Sequence, residues 1–362
     1  MSGFPTTDRP ALRPEVVLGP PRRRGTRLVH HLKDPRGHGY LCVGVKEFFL
    51  ISRLDGRSSL AELGAAYAET FDRVLGPAHW QGLLGKLAQR GLLVGTAPVA
   101  GRPATRRGWR ILLHHRYPLV RPDAMLGRLA TRTSPLFHPA VVVPVLLAVL
   151  AMEVYVGTHL SVLHQAARRV PAGQLPLVAV VGWATLFVHE VSHGLVCKRY
   201  GGAVPEVGLL WRFPVLGFYC NADDMVLFGR RRHAVYTSFA GMFGHLVALL
   251  PVWAVWELVP RSSGWRGFAG AALLFCSIGA VSNAVPFLRL DGYYMLSHAL
   301  GMVDLHQEAN RFCRLMLRRD RQRLGDYRRR ERWIYGTYGV GSALFTVAMS
   351  ALAVWYVWTK LV

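Results

Sequence analysis

Residues 189–194 read His-Glu-Val-Ser-His-Gly. Two imidazoles four residues apart fall on one face of a helix. At that spacing both rings can bind one Zn²⁺, each nitrogen about 2.0–2.1 Å from the metal. Glu190, directly after the first imidazole, stands where a base can deprotonate a water that the metal has acidified. This is the mechanical content of an H-E-x-x-H motif. The motif also lies inside an apolar stretch, where ionisable side chains are costly in a membrane unless they have partners or a function. A polar contact between helices is the alternative use of the three groups. A catalytic zinc takes three protein ligands and keeps one position open. Asp291, in N-A-V-P-F-L-R-L-D-G at 283–292, is the best-placed third ligand. Pro286 interrupts a helix there and frees backbone groups, which a membrane protein tolerates beside a polar cavity or inside protein. Gly292 permits a tight turn next to the carboxylate. Asn283 offers its carboxamide to a substrate backbone or a tetrahedral oxyanion, or to a plain interhelical hydrogen bond.

The elements that must position these residues are apolar runs at about 138–157, 174–196, 234–258, 267–287 and 335–358. Each approaches the roughly 20 residues that a helix needs to cross a membrane, which gives a mainly α membrane protein with about five transmembrane helices. Trp and Tyr at the ends of the last run suit the membrane interface. The formal net charge is +23, which first suggests nucleic acid, but the placement argues for topology. Lys198, Arg199, Arg212 and Arg230–Arg232 follow the second run; Arg289 and a dense series from Arg311 to Arg332 follow the fourth. The loops after the first and third runs hold only Arg168, Arg169, Arg261 and Arg266. By the positive-inside rule the N-terminus is cytoplasmic and, with an odd number of spans, the C-terminus is outside. The basic surplus then also meets anionic lipid headgroups. The second and fourth runs point the same way, so the charge pattern alone brings His193 and Asp291 to one depth near the cytoplasmic face.

Before the first run, residues 1–27 read as a flexible arm and 28–95 as a small α+β, winged-helix-like domain. Ser59 and Glu62 fit a capping box before a helix carrying Leu60, Leu63 and Tyr67. Trp80, Leu83, Leu84 and Leu87 mark a second helix after Pro77, ended by Gly91. Leu54-Asp55-Gly56 reads as a turn. Residues 96–109 form a linker, 110–135 mix basic and apolar residues as an interfacial helix does, and 136–362 make up the membrane domain that carries the metal motifs. No cleavable signal peptide opens the chain. The five cysteines have no close paired spacing and suggest no disulfide framework. His245, within the third run, is a helix-packing histidine or a group facing the site. Asp223 and Asp224 read as caps or as partners of Arg230–Arg232.

H-E-V-S-H-G at 189–194 followed by N-x-x-P-x-x-x-L-D-G at 283–292 resembles the site-two protease family of membrane zinc metallopeptidases. The resemblance implies zinc bound by His189, His193 and Asp291, Glu190 as the base, and Asn283 near the substrate strand. Residues 290–297 (L-D-G-Y-Y-M-L-S), V-P-E-V-G at 204–208 and P-L-V-R-P-D at 118–123 are similar to a bacterial branch of peptide zinc metalloproteases. Residues 28–95, with L-D-G-R-S-S-L at 54–60, resemble the PqqD-like domain that binds leader peptides of ribosomally made, modified peptides. The likeness covers roughly residues 10–330. Where relatives often read A-G-P-x-x-N, this chain reads A-G-M-F-G-H at 240–245.

The expected function is a membrane zinc endopeptidase in the bacterial inner membrane. It would act on a peptide precursor in maturation or export, with an export transporter as a further partner. The alternative is a non-catalytic membrane module that binds a peptide and assists its export; an intact Glu190 argues against it, since a structural metal needs no base. A membrane-tethered nucleic-acid binder would need a basic recognition helix. The helix from Leu60 to Thr70 carries Glu62 and Glu69 and no Lys or Arg, so no nucleic acid is expected.

Overall fold

The computed structural model describes residues 7–35, 39–97, 114–213 and 215–361. It is mostly helical. It divides into two compact units, Met1–Arg106 with Gly301–Gly336, and Arg107–Leu300 with Thr337–Val362. Most of the expected linker, residues 98–109, lies outside the described residues.

The first unit has strands β1 (Val17–Leu18), β2 (Arg22–Arg24), β3 (Arg27–Lys33) and β4 (Tyr40–Gly44), and helices α1 (Val45–Ile51), α2 (Leu60–Phe71) and α3 (Pro77–Gln89). All pairings are antiparallel, with β3 central between β1 and β2 on one side and β4 on the other. Local chemistry sets the helix starts. Ser59 Oγ accepts from Glu62 N (3.3 Å) and Ser59 N donates to Glu62 Oε2 (2.7 Å), the reciprocal box that satisfies two otherwise orphaned amides. Pro77 begins α3, where its missing N–H costs nothing. The residues expected to face inward do so: Leu60, Leu63, Tyr67, Trp80, Leu83, Leu84 and Leu87 join Leu32, Leu50 and Ile51 in one core. At Leu54-Asp55-Gly56 the carboxylate accepts from Arg57 N (2.8 Å) and Ser58 N (3.0 Å), closing the expected turn.

Two boundaries differ from the sequence reading. Most of the described part of the arm is not free. Leu12 N donates to Leu54 O (2.8 Å), Arg13 N to Leu92 O (2.9 Å), and β1 and β2 pair with β3. Arg13 is buried against Asp34, and Arg22 is 2% exposed. A Pro- and Arg-rich composition conceals strands whose partners lie further along the chain. The second correction concerns residues 301–336, assigned by sequence to the membrane domain; they fold with the first unit. Arg23 N donates to Gly301 O and Val303 N to Arg23 O, each 2.9 Å. Glu331 pairs with Arg23 (3.1 Å), and Gly25 N donates to the Tyr335 hydroxyl (3.1 Å). This segment supplies α11 (Leu305–Leu317), α12 (Arg321–Gly325) and the start of α13 (Arg329–Leu361). Phe312 and Leu315 of α11 are buried while Arg311, Arg314 and Arg318 are exposed.

The second unit comprises β5 (His114–Val120), α4 (Asp123–Arg132), α5 (Pro139–Thr158), α6 (Leu160–Ala167), α7 (Leu175–Arg199), β6 (Val207–Arg212), β7 (Val215–Cys220), α8 (Arg231–Leu258), α9 (Gly264–Ser282), α10 (Asp291–Leu300) and the rest of α13. Among the described residues, five helices are long and apolar enough to cross a membrane: Pro139–Thr158, Ala172–Arg199, Arg231–Leu258, Gly264–Ser282 and Arg329–Thr359. They are compatible with a multi-pass membrane protein. Leu147, Val180, Val347 and Val354 expose 60% or more of their surface, an arrangement that a hydrocarbon solvent stabilises. The fourth helix stops at Ser282, short of the expected 287, because the chain turns at Asn283 ahead of Pro286.

The expected interfacial helix at 110–135 is also corrected. Residues 110–113 lie outside the described residues; of the rest, 114–120 are strand β5, paired with β6, 123–132 are α-helical and a 3-10 turn begins at Ser134. The sheet order is β5-β6-β7. Asp123 anchors α4: its carboxylate takes both Lys198 Nζ (2.9 Å) and Val204 N (2.7 Å). Gly194 lets α4 and β7 close on α7. A Cβ there would lie 2.8 Å from Leu126 Cδ1 and 3.0 Å from Cys220 Sγ. Gly244 does the same between α7 and α8, where a Cβ would come 2.8 Å from that of Ser192. Such small residues allow close helix approach within a bilayer.

The core of the first unit predicts a contrast. Leu84→Ala, at a fully buried position, should cost about 2–5 kcal/mol through the cavity it leaves. Val74→Ala, 88% exposed, should change stability by less than about 0.5 kcal/mol. Denaturant unfolding of the purified chain checks this, and equal effects would refute the core assignment.

Candidate metal centre

Helix α7 runs unbroken past residues 189–193, so the four-residue spacing becomes one face. The His189 and His193 rings lie 4.8 Å apart at 84°. Asp291 opens α10 and reaches both of them. His189 Nε2 is 3.1 Å from Asp291 Oδ2, His193 Nε2 is 3.2 Å from Asp291 Oδ1, and the two Nε2 atoms are 3.2 Å apart. Four ligands set tetrahedrally at about 2.0–2.1 Å from a zinc ion are separated by about 3.3 Å. The imidazole–imidazole separation and the distance from each imidazole to its own Asp291 oxygen are close to such an edge, and with one donor atom per residue the three ligand atoms lie within 4.8 Å of one another, a group that could hold a metal ion.

Hydrogen bonding sharpens this. His193 Nδ1 lies 2.7 Å from Thr237 O. A carbonyl only accepts, so Nδ1 carries the proton, and a neutral ring presents the Nε2 lone pair to the centre. Burial alone would raise the Asp291 carboxyl, but hydrogen bonding to His189 and His193 outweighs it and holds the group below the usual carboxylate range. The carboxylate faces both Nε2 atoms at 3.1–3.2 Å, so a proton or a metal cation must lie between them. Room for a cation comes from Gly241 of α8. A Cβ at that position would lie 2.7 Å from His189 Nε2 and 2.6 Å from His193 Cε1.

The loop that delivers Asp291 is held at three points. Gly292 N donates to Asn283 O at 2.6 Å, and a Cβ at Gly292 would stand 3.0 Å from Ala284 Cα. No side chain fits there. The Tyr338 hydroxyl of α13 donates to Pro286 O (3.0 Å), and Phe287 packs on Tyr338 and Phe345. The segment irregular enough to carry a carboxylate into the bundle is thereby braced by the last helix.

Glu190 points to a different partner. Its Oε2 accepts from Cys220 N at 2.8 Å, at the end of β7. Trp183 and Phe187 of α7 pack edge-on to Phe218 of the same strand. Asn283 caps α9: its Nδ2 donates to Gly279 O at 3.4 Å, and its carbonyl holds Gly292. Asp224 is buried and accepts from Ala203 N (2.7 Å), tying the loop after α7 to a turn before α8. His245 is buried edge-on to His189. Three contributors escaped sequence reading. Thr237 and Cys220 act through the backbone, which leaves no side-chain signal. Gly241 was visible only as a small residue in the third apolar run.

Gly241→Ala should weaken metal binding by about tenfold or more while the helix persists. Gly157→Ala, where a Cβ meets nothing within 4 Å, should leave it unchanged. Chelator competition on the two purified variants decides this, and indifference of the Gly241 variant would remove the cradle from the argument. Scans of protein-family models, curated proteins and solved structures found no match to the chain.

Proposed function

We propose that the chain is a membrane-embedded zinc endopeptidase. The observation that carries the reading is the convergence of His189, His193 and Asp291, the two Nε2 atoms 3.2 Å apart and each 3.1–3.2 Å from one oxygen of the carboxylate, with Glu190 next to the first ligand in sequence. Two imidazoles and a carboxylate suit zinc and leave its fourth position to substrate. When bound, the metal supplies Lewis acidity that polarises a carbonyl and acidifies water.

The chain's own residues supply the rest. Glu190, steadied through Oε2 by Cys220 N–H, takes the proton of the attacking water and hands it to the leaving amine. His193 keeps its Nε2 directed at the centre because Nδ1 is committed to Thr237 O. The carboxamide of Asn283, held at its side chain by a long 3.4 Å bond, is assigned to the substrate backbone. The apolar bundle excludes bulk water and strengthens each of these interactions.

The substrate class is a peptide or a membrane-associated peptide precursor. The first unit, read as a PqqD-like, winged-helix-like module, captures the leader of a ribosomally made, modified peptide, and an export transporter receives the product. Basic loops orient the chain in a bacterial inner membrane with the centre near the cytoplasmic face. A purely peptide-binding export module would have no use for a general base held by a dedicated backbone donor.

Elemental analysis of the detergent-purified chain should find about one zinc per protein, lost in His193→Ala and Asp291→Ala and kept in Glu190→Gln. Glu190→Gln should also lower cleavage of a precursor peptide by about 10²–10⁴-fold. Zinc retained by Asp291→Ala, or full cleavage by Glu190→Gln, would overturn the assignment.

A further inference from the structure

One histidine at the centre has no role so far. His245 sits four residues after Gly241 on α8 and is 2% exposed. Its ring stands edge-on to His189, with centroids 6.1 Å apart and planes at 87°. Neither of its nitrogens has a hydrogen-bond partner among the described residues, and His189 Nδ1 is buried without one too. Three unpartnered nitrogens thus lie in two adjoining buried rings. Native interiors pair such atoms, with protein or with ordered water. As a mere packing residue in a membrane bundle, His245 would be worse than leucine.

The two ligand histidines differ in one respect. Both direct Nε2 at the centre, so each must carry its proton on Nδ1. His193 donates that proton to Thr237 O. His189 has no such acceptor, although the outer N–H of a metal-binding imidazole almost always has one, and that contact fixes the tautomer and the ring angle. The nearest ring able to accept is His245. No direct bond joins the two rings; with centroids 6.1 Å apart, a bridge through one water, with legs of about 2.9 Å, is the link left to them.

We propose that His245 is the positioning residue for His189, accepting its Nδ1–H through a single buried water, as Thr237 does directly for His193. This rests on the metal centre proposed above. In this chain the third apolar helix then serves both ligands of the second: through a main-chain carbonyl on one, and through a side chain on the other.

The test is zinc affinity of the full chain in detergent, by chelator competition, with Co²⁺ absorption as a second report on ligand geometry. His245→Leu keeps the bulk and removes the acceptor; His245→Gln keeps an acceptor. The Leu variant should bind zinc about 10–100-fold more weakly and shift the Co²⁺ spectrum, without lowering the melting temperature measured under chelation. The Gln variant should recover most of the affinity. Wild-type affinity in His245→Leu overturns the proposal while leaving the metal centre intact. If the Leu variant fails to fold, His245→Gln decides, and an affinity as low as that of His245→Ala overturns it equally. A wild-type chain that binds no zinc removes the centre itself, a separate outcome from either.

Discussion

Two imidazole nitrogens and a carboxylate meet at 3.1–3.2 Å inside an apolar helix bundle. Lone pairs at that distance repel unless a positive charge sits among them, and the low-dielectric surroundings magnify the repulsion. The local fold answers this constraint. Helix α7 holds the two rings on one face. Gly241 clears space that any side chain would fill. The chain leaves the helix after Asn283, and the loop that follows brings Asp291, at the start of α10, to the two rings.

Irregular backbone in such a bundle exposes groups that lipid cannot satisfy. The 283–292 loop meets this requirement with a tight Gly292–Asn283 bond and with the Tyr338 hydroxyl on Pro286 O. Aromatic packing of Phe287 on Tyr338 and Phe345 covers its outer side. The β5-β6-β7 sheet meets a second requirement. Its last strand brings one backbone N–H to Glu190, and its aromatic residue Phe218 rests on α7. Orientation of the proposed base therefore depends on a hairpin far from it in sequence.

The first unit shows how charge is handled outside the bundle. Arg22 is almost fully buried, while Arg23 and Arg24 pair with Glu331, Asp304 and Glu308 from the segment after α10. Three acidic residues of a strongly basic chain thus join β2 to a late helical segment. Arg311 and Arg314 of α11 and Arg318 at its end stay exposed.

The sequence by itself determined whatever depends on short-range periodicity. Helix spacing put His189 and His193 on one face. Apolar run length marked the five described helices long and apolar enough to cross a membrane, and the Ser59–Glu62 box and the Leu60–Leu87 pattern marked the helices of the small unit. Charge asymmetry led to the expectation that Asp291 and His193 share one depth, and the two side chains do meet in one site. Tertiary structure alone decided what long-range pairing controls. Strands at 17–24 find their partner only once β3 exists. Residues 301–336 join a unit begun some three hundred residues earlier because Arg23 bonds to Gly301 and Val303. The same is true of the finest features of the site. A carbonyl on His193, an amide on Glu190 and a ring beside His189 belong to other segments, and backbone groups carry no residue code that a reader of one strand of sequence can recognise.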